Sequence, residues 1–217
     1  MRAIVVAGGD AIGEDAARLA GADLVVAADS GAAWLDGLGI RPDLLVGDMD
    51  SIDPGLLERL SNDGVTIERH PVDKDASDAE LAVVRAISDG ADEVVIVGAL
   101  GGGRLDHELA NLLLVADARW RGHRLRIVRD GTTAQAVHGG ETLQLSGAEG
   151  DLVTLLAVGG DAWGVRTQGL RFPLAGEALG LGRSRGLSNQ VDQAPASVSL
   201  ERGTLLVVET ETEGVGR

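Results

Sequence analysis

The chain has 217 residues, of which 44 % are hydrophobic, 2 % aromatic and none cysteine, and its formal net charge is −15 at pH 7. These values allow one large domain or two small ones around a real core, and they exclude disulfides, zinc–thiolate sites and thiolate nucleophiles. So acidic a surface repels nucleic acid, which speaks against a general nucleic-acid binder.

The opening run MRAIVVAGGD is apolar for too few residues to be a signal peptide, and no later run reaches membrane-spanning length. The expected location is the cytoplasm. The aromatic residues are Trp34, Trp120, Trp163 and Phe172, so the core must be built from Val, Leu, Ile and Ala.

In chain order, β-branched runs alternate with helical patterns, the mark of a mainly parallel α/β sheet. Strands are predicted at Ala3–Gly8, Asp23–Asp29, Leu44–Val46, Val65–His70, Glu93–Leu100 and Arg124–Val128. Helices are predicted at Glu14–Ala20, Ala32–Leu38, Pro54–Leu60, Ser77–Ile87 and Asp106–Arg119. Pro54 suits a first helical turn, and Ser77 with Glu80 has capping-box spacing. After Asp130 the pattern becomes short strands split by Gly-rich turns: Thr132–Val137, Thr142–Leu145, Leu152–Ala157, Ala196–Leu200 and Thr204–Glu209. The expected organisation is an α/β N-terminal domain over residues 1–130, followed by an all-β sandwich C-terminal domain over 131–217.

In an open parallel sheet, ligands bind beyond the carboxyl ends of the strands. Asp29 closes the second strand, Asp48 and Asp50 follow the third, and Asp73, Asp75 and Asp78 follow the fourth. GGGRLDH, Gly101 to His107, follows the fifth. Four strand ends thus bring carboxylates or a glycine-rich loop to one edge. In an extended segment Asp48 and Asp50 point the same way, and such paired carboxylates repel unless a cation lies between them. Hard oxygen ligands suit Mg²⁺, which takes one or two carboxylates plus substrate phosphates. Asp78 also suits a first helical turn for its dipole alone, Asp73 can be a turn residue, and Asp75 can simply lead into the helix.

Gly101, Gly102 and Gly103 let backbone N–H groups approach a phosphate at a helix start. The loop is neither a Walker A nor a GxGxxG motif. Arg104 offers a guanidinium fork and Lys74 a point charge to phosphate oxygens. His107 is either a base or a surface residue at the helix start.

These residues resemble thiamine pyrophosphokinase over nearly the full length. The stretches that carry the resemblance, in order, are Ala28–Leu35, Pro42–Ile52 (PDLLVGDMDSI), Asp73–Ala82 (DKDASDAELA), Gly98–Asn111 (GALGGGRLDHELAN), Gly147–Gly159, and the Thr167–Asn189 region with TQGLRFPL and LGRSRGLSN. The resemblance implies the same two-domain fold and a homodimer with active sites at the subunit interface. It implies that Asp29, Asp48, Asp50 and Asp78 surround Mg²⁺ and the phosphates of the co-substrate ATP. It places Lys74, Arg104 and Asp106 beside nucleotide or substrate. Phe172 with Ser188 and Asn189 then contributes to the thiamine and nucleotide pocket, although Phe172 taken in isolation is better read as filling the sandwich core. An aromatic face would attract the thiamine cation.

Ser30, Met49, Ser77 and Phe172 depart from the residues usual in the family, and none of these departures removes a carboxylate. The expected reaction is thiamine plus ATP giving thiamine diphosphate plus AMP, with Asp50, Asp78 and Arg104 as catalytic residues. Met49 and Phe172 keep open another acceptor such as a hydroxymethylpterin. A thiamine- or nucleotide-binding regulator without catalysis is the remaining alternative.

Overall fold

The computed structural model describes residues 1–10, 13 and 15–212, in two compact units. The first takes Met1–Leu114 with Gly122–Asp130, and the second takes Val115–Arg121 and the chain from Gly131 on.

In the first unit the strands are β1 (Arg2–Val6), β2 (Leu24–Ala28), β3 (Leu44–Gly47), β4 (Thr66–Arg69), β5 (Glu93–Val97) and β6 (Arg124–Arg129). They pair in the order β4-β3-β2-β1-β5-β6, every pair parallel. The intervening helices are α1 (Asp15–Leu19), α2 (Gly31–Gly37), α3 (Pro54–Asn62), α4 (Asp78–Ser88) and α5 (Leu105–Val115). Glu14, where the first helix was expected to begin, lies outside the described residues. Strands β1, β2 and β5 are almost wholly apolar because both faces are buried. Ile4, Val6, Ala27, Leu45, Val95 and Val97 pack with Leu35, Leu56 and Leu60 in one core.

Local chemistry sets the helix starts. Asp53 accepts a hydrogen bond from Leu56 N at 3.0 Å ahead of Pro54, and Ser77 accepts from Glu80 N at 3.2 Å. The helix expected to run to Arg119 stops at Val115, because Asp117 accepts from Arg119 N at 2.9 Å and starts a separate 3₁₀ turn, Ala118–Trp120. The chain leaves β1 toward β2, β3 and β4, then returns on the other side as β5. That reversal opens a crevice at the carboxyl ends of β1 and β5. Among the described residues no helix is long and apolar enough to cross a membrane.

The second unit is all-β, with β7 (Thr132–His138), β8 (Thr142–Gln144), β9 (Leu152–Gln168), β10 (Ala175–Leu179), β11 (Asn189–Gln190), β12 (Ser197–Ser199) and β13 (Arg202–Thr210). Every pairing in it is antiparallel. Strand β9 was expected to end at Ala157 but continues to Gln168. Its first stretch pairs with β13, which also pairs with β7, and its second stretch pairs with β10 and β12. The register shifts between Arg202 and Thr204, where β9 bends from one sheet into the other. Val153, Leu155 and Ala157 from before the bend share one core with Ala162 and Val165 from after it, together with Leu205, Val207 and Val198. Strands β10 and β11 were not foreseen.

Candidate active site

The carboxyl edge of the first sheet holds a cleft of about 670 Å³. Asp29 and Asp78 line it, and with Asp48 they form an acidic cluster drawn from three elements. Asp29 follows β2 in a left-handed conformation (φ 45°), Asp48 follows β3, and Asp78 is the first residue of α4. One carboxylate oxygen from each lies within 4.8 Å of the others. Lys74 is the counter-charge, with Nζ 2.8 Å from Asp48 Oδ2 and 2.9 Å from Asp78 Oδ1.

The charges shape one another. The hydrogen bond from Lys74 holds the Asp48 carboxyl below its ordinary range. Burial works to lower the Lys74 pKa, but its bonds to Asp48 and Asp78 outweigh burial and raise it. Burial pushes Asp29 up, and the charges of Asp78 and Asp48 push in the same direction. Asp29 Oδ1 is buried and has no hydrogen-bond partner among the described residues. One ammonium against three carboxylates leaves negative charge uncompensated in a partly buried place. A buried, unpaired carboxylate oxygen normally costs stability. Hard oxygen donors in such a cluster fit a divalent cation of the Mg²⁺ type.

Asp50 is not one of the three clustered carboxylates, although it still bonds Asp48. The extended geometry expected of Asp48–Asp50 does not occur, because Met49 between them takes φ 68° and turns the chain. Asp50 instead lines the cleft, donates its N–H to Asp48 Oδ1 at 3.2 Å and accepts from Ser51 Oγ at 2.8 Å. Met49 is 7 % exposed and packs in the core, so it does not reshape the cleft.

Gly101, Gly102, Arg104 and His107 line the opposite side, and Gly103 continues the same loop. Arg104 does not extend a free fork. Its Nε and Nη2 bond Asp106 Oδ1 and Oδ2 at 2.9 and 2.6 Å, which holds the Asp106 carboxyl well below the usual carboxylate range. Both side chains are exposed, so exchanging that carboxylate for a phosphate oxygen costs little. Asp75 also lines the cleft.

Gly8, Gly9 and Asn111, none of them a candidate from the sequence, also stand on the cleft wall. Asn111 is buried and donates to Ala99 O at 2.8 Å. Gly9 donates its N–H to Gly98 O at 2.8 Å, and a Cβ on Gly9 would lie 2.5 Å from that same oxygen. The pair of glycines directly after a buried strand, in VAGGD, was the available signal.

Phe172, Ser188 and Asn189 belong to the second unit, where they form a cluster of their own. Phe172 is 62 % exposed rather than packed in the sandwich core. Asn189 is buried and clamps it: Oδ1 accepts from Phe172 N at 3.0 Å and from Gln190 N at 2.9 Å, while Nδ2 donates to Phe172 O at 2.8 Å. Ser188 is left-handed (φ 54°) and donates its N–H to Thr154 Oγ1 at 3.2 Å.

Two family models match the chain. "Thiamin pyrophosphokinase, catalytic domain" matches residues 17–129, and "Thiamin pyrophosphokinase, vitamin B1 binding domain" matches residues 141–205. Thiamine pyrophosphokinase 1 of Oryza sativa subsp. japonica is 29 % identical over 168 residues, covering 73 % of this chain and 62 % of that protein. Thiamine pyrophosphokinase of Bacillus subtilis is 24 % identical over 187 residues, covering 86 % of this chain and 87 % of that protein. The crystal structure of the Bacillus subtilis thiamine pyrophosphokinase superposes with a TM-score of 0.86 at 23 % identity, over 97 % of this chain and 99 % of that one.

Proposed function

The chain belongs to the thiamine pyrophosphokinase family, and from that premise we propose that it moves the pyrophosphoryl group of ATP onto the hydroxyl of thiamine, giving thiamine diphosphate and AMP. The observation that carries this reading is the cluster of Asp29, Asp48 and Asp78 with Lys74, of which Asp29, Lys74 and Asp78 line a cleft at the carboxyl edge of the sheet.

The thiamine hydroxyl oxygen attacks the β-phosphorus, the bond from that phosphorus to the α,β-bridging oxygen breaks so that AMP leaves, and the hydroxyl proton passes to a carboxylate of the cleft wall. Asp29, Asp48 and Asp78 would hold Mg²⁺, with Asp50 as a further carboxylate on the cleft wall. Bound there, the cation would neutralise phosphate oxygens as charge develops on them. Lys74, poised between Asp48 and Asp78, and Arg104, once exchanged from Asp106, face the phosphate chain with positive charge. The Gly101–Gly103 loop offers backbone N–H groups, since none of the three donates to an acceptor among the described residues. Asp106 and His107 flank the same loop. In a transfer with little covalent help from the protein, such positioning and neutralisation supply most of the rate.

The first unit is the catalytic ATP- and Mg²⁺-binding domain in this reading, and the second is the thiamine-binding and dimerisation domain. Phe172, held by Asn189 with Ser188 beside it, supplies the aromatic face for the thiamine cation. The working form is a homodimer with its active sites at the subunit interface, in the cytoplasm. The first unit would add to the dimer interface through Leu105, Leu109 and Leu113, an exposed apolar stripe along α5.

The test is a product assay with ATP, MgCl₂ and thiamine that resolves AMP from ADP. AMP formed in step with thiamine diphosphate is the expected result. ADP formation would refute transfer from the β-position, and no turnover with thiamine would refute the acceptor. Light scattering of the purified protein tests the dimer.

A further inference from the structure

The loop from Gly98 to Gly103 contains three consecutive left-handed residues: Gly101, Gly102 and Gly103 have φ of 84, 83 and 76°. A run of glycines has more conformational freedom to lose than any other sequence. Nothing within the run holds it, because its three N–H groups have no acceptor among the described residues. Its order must come from what lies against it.

Two charged side chains do so. A Cβ built on Gly101 would fall 2.3 Å from Arg129 Nη1 and 2.8 Å from Asp10 Oδ2. The guanidinium and the carboxylate therefore lie directly against Gly101. The two form an ion pair, 3.9 Å apart at Nη2 and Oδ2, set directly against the glycine. Arg129 is the last residue of β6, and Asp10 follows the Gly8–Gly9 turn after β1. A Cβ on Gly102 would fall 3.3 Å from Gly9 Cα, so the backbones of the two loops also touch. Neither Arg129 nor Asp10 lines the cleft, whereas Gly9, Gly101 and Gly102 do.

We propose that Arg129, paired with Asp10, is a positioning residue that holds the Gly101–Gly103 loop in the shape that receives the nucleotide phosphates. It acts through the loop without touching the substrate. The proposal rests on reading the cleft as an ATP site. Arg129 carries a rigid planar fork at the end of a core strand, so it restrains a neighbouring backbone better than a flexible ammonium.

The test compares wild type with Arg129→Gln, Arg129→Lys, Asp10→Asn and the Asp10→Asn/Arg129→Gln double variant. The readouts are kcat, KM for ATP, KM for thiamine, and the Kd of ADP with MgCl₂ by calorimetry. Arg129→Gln is expected to raise KM for ATP and Kd for ADP about tenfold, with kcat within roughly twofold and thiamine KM unmoved. Arg129→Lys should recover part of the affinity. The double variant should be no worse than Arg129→Gln, since both changes release the same loop. An unchanged ADP Kd in both Arg129 variants, strict additivity in the double variant, or a collapse of kcat at constant KM would each overturn the proposal. If wild type binds ADP but makes no AMP with thiamine, the acceptor assignment falls, and the Kd series still decides the role of Arg129. If wild type binds no ADP, both readings fall.

Discussion

Replacing Lys74 with methionine removes the ammonium that lies 2.8 Å from Asp48 and 2.9 Å from Asp78. The three side chains are 13, 12 and 26 % exposed, so water screens the remaining carboxylates poorly. Removing one partner of a fully buried pair costs about 3–5 kcal/mol, and the partial exposure of Asp78 brings the expectation to about 2–3 kcal/mol. For a chain of this size each kcal/mol moves Tm by about 2–4 °C. Lys74→Met should therefore melt roughly 5–10 °C below wild type in EDTA. A divalent cation restores the missing positive charge, so MgCl₂ should raise Tm more in the variant than in wild type. The gap should also close in acid. The Asp48 pKa is lowered in the folded state chiefly by Lys74, so its contribution is present above its unfolded value and lost as pH falls through its folded one. Differential scanning calorimetry in EDTA and in MgCl₂ decides the matter. Equal melting in EDTA, or an equal Mg²⁺ shift in both proteins, would refute the charge argument.

Asp29→Asn should act in the opposite sense on stability. Burial raises the Asp29 pKa, so its stabilising contribution is present below the unfolded value and lost as pH rises through the folded one. At neutral pH without metal the asparagine variant should melt above wild type, yet lose about a hundredfold or more in AMP formation; a lower Tm would contradict the assignment. Phe172→Ala should leave Tm within a degree or two, roughly, because the ring is exposed, while raising the thiamine KM about five- to thirtyfold. Unchanged kinetics in that variant would remove Phe172 from the thiamine site. Burial lowers the pKa of His138, so the unfolded chain takes up the proton first and stability falls as pH drops below about 6.5 toward the folded value. His138→Gln should flatten that part of a plot of denaturant midpoint against pH, and an unaltered slope would show that another group sets it.

The strands of the first unit were legible because they are short, β-branched and buried on both faces, so composition alone marked them. The end of α5 was not, since apolar periodicity runs smoothly past Ala116 and gives no weight to the local bond that Asp117 makes. β10, with the sequence AGEAL, has no β-branched residue, and only its partner β9 makes it a strand. In the site, Asp29, Asp48 and Asp78 could be found from their places at strand ends, because a parallel sheet brings those ends together wherever the chain goes between. The conformation at Met49 could not be found, and with it the place of Asp50 outside the three clustered carboxylates. A left-handed non-glycine residue is imposed by its surroundings and leaves no mark in composition.

Strand β9 serves two sheets, and this ties their fates together. Gly159 and Gly160 look, by composition, like a turn where an insertion or a proteolytic nick would be harmless. In the folded chain they join the stretch of β9 that pairs with β13 to the stretch that pairs with β10 and β12. The second unit therefore has no half that can open alone along this strand. Amides on either side of the bend should exchange with solvent at a common free energy, and insertions that a surface hairpin absorbs should here unfold both layers at once.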